Sequence, residues 1–101
     1  MVTILTQLGE IPTSGKVVID FFATWCGPCK RIAPMYEQLA QQFPSITFLK
    51  CDVDEAEDVA SHYSIESLPT FVFLNNTVLH GRIEGGNLAG VIQALEGLEK
   101  L

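Results

Sequence analysis

Positive charge, cysteine and long apolar runs are all scarce in this sequence of 101 residues. Six lysine and arginine side chains stand against twelve acidic ones, which gives a formal net charge of −6. Because no basic stripe is available to neutralise a phosphate backbone, we expect no nucleic-acid partner. No apolar run reaches the roughly 20 residues that a membrane-spanning helix needs, so we expect no membrane partner either.

The sequence has three cysteines, and only Cys26 and Cys29 lie close together. An odd number with one close pair does not suit a small secreted disulfide scaffold and favours a reducing compartment. The first residues also lack the basic segment and apolar run of a secretory signal, so we expect a cytoplasmic protein. Hydrophobic residues make up 48% of the chain and charged residues 18%, which suits a single domain over residues 1–101.

One stretch joins a buried strand to a helix and organises the rest of the chain. Residues 17–23 form an apolar run with one acid, Asp20, and predict a strand that is buried on both faces. A Trp-Cys-Gly-Pro-Cys motif at residues 25–29 follows directly, and apolar residues at helical spacing begin just after it. Both cysteines therefore lie where a strand ends and a helix begins.

That position has chemical consequences for the two thiols. The partial positive charge and the unpaired N–H groups of a helix N-terminus stabilise a thiolate, which lowers its pKa and raises its reactivity. Cysteines three residues apart lie on one face of the helix and can close a disulfide within its first turn. We therefore expect Cys26 and Cys29 to switch between dithiol and disulfide with little movement of the backbone.

The remaining residues alternate between strand and helix patterns. Strands are predicted at residues 2–5, 17–23, 46–53, 71–74 and 77–83. The first long helix is predicted at about residues 27–43, a second after a capping box from Asp54 to Glu57, and a last one after Asn87. Asn75 and Asn76 suit a two-residue hairpin turn, since asparagine tolerates positive φ.

The element order is then β-α-β-α-β-α-β-β-α, with the ambiguous residues 6–15 in the first α position, where Pro12 limits any helix. The β-α-β part predicts parallel strands with a right-handed crossover, and the hairpin adds antiparallel strands. This alternation places the chain in the α/β class.

A C-x-x-C motif beside a β-α-β pattern resembles the thioredoxin family. The string Trp-Cys-Gly-Pro-Cys-Lys at residues 25–30 matches the active-site string of that family at every position. Further matches are spread along the chain, at Asp20, Pro34, Lys50, Asp54, Leu68, Pro69, Thr70 and Gly85. The resemblance implies the thioredoxin fold, with a mixed five-strand sheet in the order 1-3-2-4-5 and helices on both faces. Among the departures, Thr77 stands where many members have a hairpin glycine.

The resemblance also implies a general protein-disulfide reductase. It would carry electrons from a thioredoxin reductase, with NADPH behind it, to disulfide-containing protein substrates. We expect a monomer with no bound cofactor and no metal, whose redox-active group is the Cys26–Cys29 disulfide. By family analogy, the Gly-Pro pair between the cysteines marks a reductant. The alternatives are an oxidase or isomerase, and a binding module in which the redox state is incidental.

The two cysteines are expected to take different parts in the reaction. Cys26 precedes the helix, is expected to be the more exposed sulfur and attacks the substrate disulfide. Cys29 then attacks Cys26 in the mixed disulfide and releases the reduced substrate. The alternative for this pair is half of a zinc site, which would need two further ligands and finds no second close pair in the sequence. Cys51 alternates with apolar residues of a predicted strand and is interpreted as an inert buried thiol.

Asp20 is an acid in an otherwise apolar strand, where ionisation in a low dielectric is unfavourable. The family resemblance makes it the proton acceptor for Cys29, directly or through water, and perturbed acids cluster at working sites. The alternative is an ion pair with Lys50 that serves only the structure. Both interpretations hold together if Lys50 tunes the acidity of Asp20.

An apolar substrate-binding surface is expected around Cys26, from Trp25, Gly27, Pro28, Leu68, Pro69 and Gly85. Trp25 lies beside the cysteine at a strand end, which favours docking over a place in the core. By resemblance, Pro69 is a cis-proline that faces the cysteines, the alternative being an ordinary proline at a strand entry. Leu68 would then offer its backbone to an extended substrate segment, a short form of strand addition.

Overall fold

Five strands form one mixed sheet in the computed structural model, which describes residues 1–101. The elements are β1 (Val2–Ile4), β2 (Lys16–Phe22), α1 (Gly27–Gln42), β3 (Ile46–Asp52), α2 (Glu57–His62), β4 (Thr70–Asn75), β5 (Val78–Glu84) and α3 (Leu88–Glu99). The strand order is β1-β3-β2-β4-β5. β3 is parallel to both β1 and β2, whereas β4 is antiparallel to both β2 and β5. The α/β class predicted from the alternation of elements and the strand order implied by the family resemblance are both confirmed.

The central strand β2 divides the apolar interior into two cores. Val18 packs with the buried faces of α1 and α3, while Val17, Ile19 and Phe21 pack with α2 on the opposite face. Since successive side chains of a strand alternate between its faces, Asp20 points to the same side as Val18, towards α1. The acid is thereby directed to the face that carries the cysteine helix. None of the helices combines the length and the apolar character needed to cross a membrane.

Tyr36 ties α1 to the sheet from within the first of these cores. Its ring packs against Phe48 and Phe71, with centroids 5.1 and 5.8 Å away. Its hydroxyl donates to the backbone oxygen of Leu49 at 2.7 Å. The helix that carries the cysteines is therefore fixed to the sheet by a buried polar contact as well as by packing.

Residues 6–15, where the sequence is ambiguous, contain a single 3₁₀ turn, Leu8–Glu10, in which the Glu10 carboxylate accepts the Thr6 N–H at 2.7 Å. The short turn agrees with the limit that Pro12 sets on a helix there. The predicted capping box is wrong, since α2 begins at Glu57 and its N-cap residue, Ala56, makes no side-chain capping bond. Asp54 instead accepts a hydrogen bond from the Trp25 indole at 2.9 Å. Asn87 does cap α3, accepting the N–H of Gly90 at 3.0 Å, as predicted.

The hairpin between β4 and β5 turns one residue later than predicted. Its two turn residues are Asn76 and Thr77, with φ of +51° and +70°. Asn76 is drawn into the turn by Gly15, whose N–H donates to Asn76 Oδ1 at 2.8 Å and whose carbonyl accepts the Asn76 N–H at 2.9 Å. Positive φ at both positions of a two-residue loop is the type I′ arrangement that matches the twist of the strands.

Replacing Thr77 with glycine should stabilise the protein. A β-branched residue at positive φ is strained, by about 1–2 kcal/mol on the scale of left-handed helical conformation. Glycine relieves that strain but loses more conformational freedom on folding, so we expect a net gain of about 0.5–1 kcal/mol. Denaturant melts of the two proteins measure the difference. The matched control is Thr77→Ala, which keeps a Cβ at the same φ and should gain less than glycine. A lower midpoint for Thr77→Gly would show that the turn stores no strain, because only the larger conformational freedom that glycine loses on folding would then remain.

Candidate active site

The two cysteines of the motif lie at the N-terminus of α1 and are joined in a disulfide. Cys26 is the N-cap residue, and Pro28 occupies the first turn, where a missing N–H leaves no bond unmade. The backbone N–H of Cys29 points at Cys26 Sγ, 3.2 Å away. A thiolate at Cys26 would be stabilised by this N–H and by the partial positive charge of the helix end. The geometry therefore activates the sulfur of Cys26 in particular.

The two cysteines differ in what they face and not in how far they are exposed. Cys26 is 5% exposed and Cys29 4%, so the larger exposure expected for Cys26 is absent from the disulfide form. The reason is packing, because Ala23 and Leu68 are among the residues that close around the pair. Cys26 lines an open groove, whereas Cys29 lines a cavity behind the disulfide together with Asp20. The disulfide therefore separates two different environments.

The groove beside Cys26 has a volume of about 450 Å³. One wall comes from the motif and the other from the segment between α2 and β4, so that the full lining is Trp25, Cys26, Gly27, Pro28, Val53, Ile65, Glu66, Ser67 and Leu68. Four of the predicted substrate-binding residues thus meet here, namely Trp25, Gly27, Pro28 and Leu68. Its volume and its largely apolar lining suit a segment of peptide.

Trp25 is 70% exposed, which is unusual for the largest apolar side chain of the chain. Its indole N–H donates to Asp54 Oδ2 at 2.9 Å, and the Asp54 backbone N–H donates to Asp52 Oδ1 at 3.0 Å. The loop after β3 thereby holds the ring in place, so that a flat apolar surface is presented beside Cys26 with little loss of freedom on binding. The sequence alone does not reveal this role of Asp54, although Asp54 is among the positions that match the family.

Pro69 and Gly85, which were also expected at the substrate-binding surface, are not among the residues that line the groove. The Leu68–Pro69 peptide bond is cis, and Pro69 is buried. Gly85 donates its N–H to the carbonyl of Pro69 at 2.7 Å and has a φ of +92°, a conformation that a side chain would disfavour. Thr70 Oγ1 donates to the carbonyl of Ser67 at 2.6 Å. These bonds fix the chain on both sides of Leu68.

Leu68 itself leaves its backbone free. Neither its N–H nor its carbonyl has a hydrogen-bond partner within the protein, although both neighbouring residues, Ser67 and Pro69, use their carbonyls. Backbone polar groups that lie beside a groove and lack partners are available to a ligand. An extended peptide in the groove therefore has a donor and an acceptor to pair with at Leu68.

Arg82 of β5 fastens the far wall of the groove to the edge of the sheet. Its guanidinium donates to the carbonyls of Tyr63 at 2.6 Å and Ser64 at 3.3 Å, and it lies 3.5 Å from the carboxylate of Glu84. These carbonyls belong to the C-terminal end of α2, where the helix presents partial negative charge to a cation. Arg82 therefore sets the direction in which the chain leaves α2 towards Leu68. No signal in the sequence indicated this residue, because its acceptors are backbone atoms.

The cavity behind the disulfide has a volume of about 260 Å³ and is lined by Asp20, Phe22, Ala23, Thr24, Cys29, Lys30, Ala33 and Lys50. Asp20 is 4% exposed, and its Oδ1 has no hydrogen-bond partner. Burial raises the pKa of Asp20 to about 7, against a smaller lowering by the charge of Lys50. A carboxyl of this acidity can exchange a proton near neutral pH.

Asp20 and Lys50 are cross-strand partners in the β2–β3 register. They nevertheless form no ion pair. The structure contains a single ion pair, which joins Arg82 to Glu84. The interpretation of Asp20 as a purely structural ion-pair partner therefore loses its geometric basis, while an electrostatic influence of Lys50 on Asp20 remains. The acid is left directed at the cavity that it shares with Cys29.

Cys51 lies apart from this chemistry. It is fully buried in the core on the α2 face, and burial, with smaller effects of Asp52 and Asp58, raises the pKa of its thiol to about 11. A buried thiol with a high pKa is almost never a thiolate and reacts slowly. Its place agrees with the inert thiol predicted from the sequence.

Comparison with known proteins gives a consistent picture. The family model for thioredoxin matches residues 7–96. Thioredoxin-3, mitochondrial, of Saccharomyces cerevisiae is 42% identical over 101 residues, which cover 96% of this chain and 80% of that protein. Thioredoxin-2 of the same yeast is 49% identical over 79 residues, covering 78% of this chain and 76% of that protein. The crystal structure of the oxidised form of the yeast mitochondrial thioredoxin 3 has a TM-score of 0.91 at 40% identity, covering 96% and 95% of the two chains.

The sequence and structure matches extend over nearly the whole length of the chain. They agree with its fold and with the disulfide at the N-terminus of α1. The family model spans β2 and α1, the two elements that carry the acid and the cysteines. The redox-active group is the disulfide between Cys26 and Cys29. This chain belongs to the thioredoxin family and is a thiol–disulfide oxidoreductase that acts on protein disulfides.

Proposed function

We propose that the protein reduces disulfides of protein substrates in two exchange steps, and that a thioredoxin reductase, with NADPH behind it, reduces it again. One observation carries the proposal. The disulfide lies between a groove with room for a peptide, beside Cys26, and a cavity with an unpaired acid, beside Cys29. This arrangement supports two different steps, one of Cys26 with the substrate and one of Cys29 with a proton acceptor.

In the first step, the thiolate of Cys26 attacks one sulfur of the substrate disulfide. The substrate S–S bond breaks, a mixed disulfide to Cys26 forms, and the other substrate sulfur leaves as a thiolate that takes up a proton. The position of Cys26 in the groove and at the N-cap of α1 supports this assignment. Trp25, Gly27 and Pro28 would contact the substrate around the reacting sulfur.

In the second step, Cys29 gives up its proton and attacks the sulfur of Cys26. The mixed disulfide breaks, the Cys26–Cys29 disulfide forms, and the second substrate thiolate leaves and takes up a proton. Two electrons have then passed from the protein dithiol to the substrate. Asp20, with a pKa of about 7 and a shared cavity with Cys29, would accept the proton, directly or through water. Lys50 would tune that acidity.

The substrate would lie as an extended segment against Leu68, whose backbone groups are free. Pairing of one residue in this way is a short form of strand addition and requires no particular side chain of the substrate. Pro69 and Gly85, joined by their backbone hydrogen bond, would act by holding Leu68 in place. Such a surface suits many protein substrates and agrees with a general reductase.

The decisive experiment measures NADPH consumption in the presence of a thioredoxin reductase and a protein disulfide substrate. Consumption should require all three proteins. If the chemically reduced protein cleaves the substrate but no reductase recharges it, the proposed partner is wrong. If it cleaves no disulfide at all, the proposed function is wrong. A titration against glutathione distinguishes a reductase, near the roughly −270 mV typical of thioredoxins, from an isomerase near about −180 mV.

We further infer that residues 1–101 form one thioredoxin domain that acts as a cytoplasmic monomer with no resident cofactor. The cysteine usage of the chain supports a reducing compartment. The 42% identical yeast relative carries the word mitochondrial in its name, so the cytosol and the mitochondrion are the two locations to compare. Cell fractionation decides between them, and sedimentation of the purified protein tests the monomer.

A further inference from the structure

The groove beside Cys26 contains a single charged side chain, Glu66. Glu66 is exposed, and its carboxylate makes neither an ion pair nor a hydrogen bond within the protein. It lies on the wall opposite Trp25, two residues before the free backbone of Leu68. A segment that pairs with Leu68 rises about 3.3 Å per residue, so its side chains within two or three residues of the reacting cysteine come within reach of this carboxylate.

No positive charge of the protein neutralises Glu66. Lysine and arginine are absent between Cys51 and Gly81, a stretch that holds six of the twelve acids of the chain. Of the cations near the disulfide, Lys30 lines the cavity of Asp20. Arg31 lines a depression with Pro28 and Met35, and its Nη1 lies 3.5 Å from the position that a Cβ on Gly27 would take, on the wall opposite Glu66. The wall of the groove that carries Glu66 therefore presents uncompensated negative charge to a substrate.

We propose that Glu66 makes the enzyme selective for disulfides flanked by lysine or arginine. This inference rests on the proposed function, because it assumes that substrates lie in the groove and react at Cys26. A cation in the substrate segment gains an ion pair with Glu66, while an acid at the same position is repelled. Charge complementarity of this kind acts mainly on the rate of productive encounter and is weakened by salt.

The test uses two disulfide peptides of equal length, one with lysine and one with glutamate at the residues that flank each cysteine. The reduced protein is mixed with each peptide, and the second-order rate constant for its single oxidation by that peptide is measured at low and at high ionic strength. Each rate is divided by the rate with dithiothreitol, because any attacking thiolate is itself an anion that prefers the cationic peptide. We expect the normalised preference for the lysine peptide to be about threefold to fivefold at low salt and to decline in high salt.

Variants test whether Glu66 is the cause of the preference for the lysine peptide. Glu66→Gln should remove most of it, and Glu66→Lys should reverse it. The matched control is Glu96→Gln, which removes the same charge from an exposed position of α3 and should leave the preference unchanged. Thermal melts of all variants verify that the fold is retained, as expected for exposed side chains.

Three results would overturn the inference. The wild-type protein could reduce both peptides at the same normalised rate, or Glu66→Gln and Glu96→Gln could change the preference equally, which would make net charge the cause. If neither peptide is reduced although dithiothreitol reduces both, the proposed function itself fails and the inference fails with it. If both peptides are instead reduced efficiently and at equal normalised rates, the selectivity proposed for Glu66 fails while the proposed function stands.

Discussion

Replacing Cys26 with serine should abolish disulfide reduction, whereas replacing Cys29 with serine should arrest the protein as a mixed disulfide with its substrate. A serine hydroxyl cannot take the place of the attacking thiolate at Cys26, so no covalent intermediate forms. In Cys29→Ser the first attack proceeds, but the second sulfur that would release the substrate is missing. Intact-mass measurement after incubation with a disulfide peptide should show one peptide half bound to Cys29→Ser and none to Cys26→Ser.

The matched control for this pair is Cys51→Ser. Cys51 is buried away from the groove and from the Asp20 cavity, so this variant should turn over at the parental rate if it folds. Equal trapping of peptide by Cys26→Ser and Cys29→Ser would contradict the assignment. Since the two residues are equally shielded in the disulfide form, such a result would mean that either sulfur can meet the substrate after reduction.

Replacing Asp20 with alanine should stabilise the protein at pH 8 and destabilise it at pH 4. Burial raises the pKa of Asp20 from 3.8 to about 7, so between these pH values the native state binds a proton that the unfolded chain has lost. Stability contributed by this group therefore falls as pH rises through that window and stays low above it. One pKa unit corresponds to about 1.36 kcal/mol, so the ionised group is unfavourable by about 4 kcal/mol at pH 8.

Alanine removes that charge but leaves a small cavity, which acts in the opposite direction by about 1–2 kcal/mol. The net change should be a gain of about 2–3 kcal/mol at pH 8 and a loss of about 1–2 kcal/mol at pH 4, where the parent carboxyl is already neutral. Denaturant melts at the two pH values measure both. Asp20→Asn, which keeps the volume, separates the charge from the cavity.

Asp20→Ala should also slow disulfide reduction, but only in the second step, in which Cys29 attacks the mixed disulfide. Cys29 loses its proton acceptor, so release of the mixed disulfide should slow, while the attack by Cys26 should change little. Single-turnover kinetics with a disulfide peptide resolve the two steps. A variant that is destabilised at pH 8 and releases its substrate at the parental rate would make Asp20 a structural residue and not the base.

The sequence predicted those parts of the site that follow from local chemistry. The cysteine pair was found from its spacing and from the change of period between β2 and α1. Asp20 was found because an acid in an apolar strand conflicts with ordinary burial. The remaining contributors depend on partners far away in the chain, as Asp54 does on Trp25, 29 residues before it, and Arg82 on carbonyls about 18 residues before it. Every residue has a backbone carbonyl, so a sequence does not show which carbonyl a side chain such as that of Arg82 will bind.

The predicted boundaries of two elements were wrong for the same reason, because they depend on partners far away in the chain. The tendency of Asp54 to cap a helix was real, but a tertiary hydrogen bond to an indole took its side chain. Asn76 was assigned to the right hairpin and to the wrong position in it, because Gly15, 61 residues away, decides which residues turn. Local propensity therefore located each element, and long-range hydrogen bonds fixed where it ends.

The central position of β2 has a consequence for how the protein moves. β2 is hydrogen-bonded to β3 on one side and to β4 on the other, and it is buried on both faces. Amides in such a strand exchange with solvent only when the whole fold opens, whereas edge segments open locally and far more often. Asp20 belongs to this slowest-exchanging part, and the cysteines follow directly after it. Asp20 is thus held in a strand that opens only with the whole fold, so movements that change its distance to Cys29 come from the start of α1 and not from the acid.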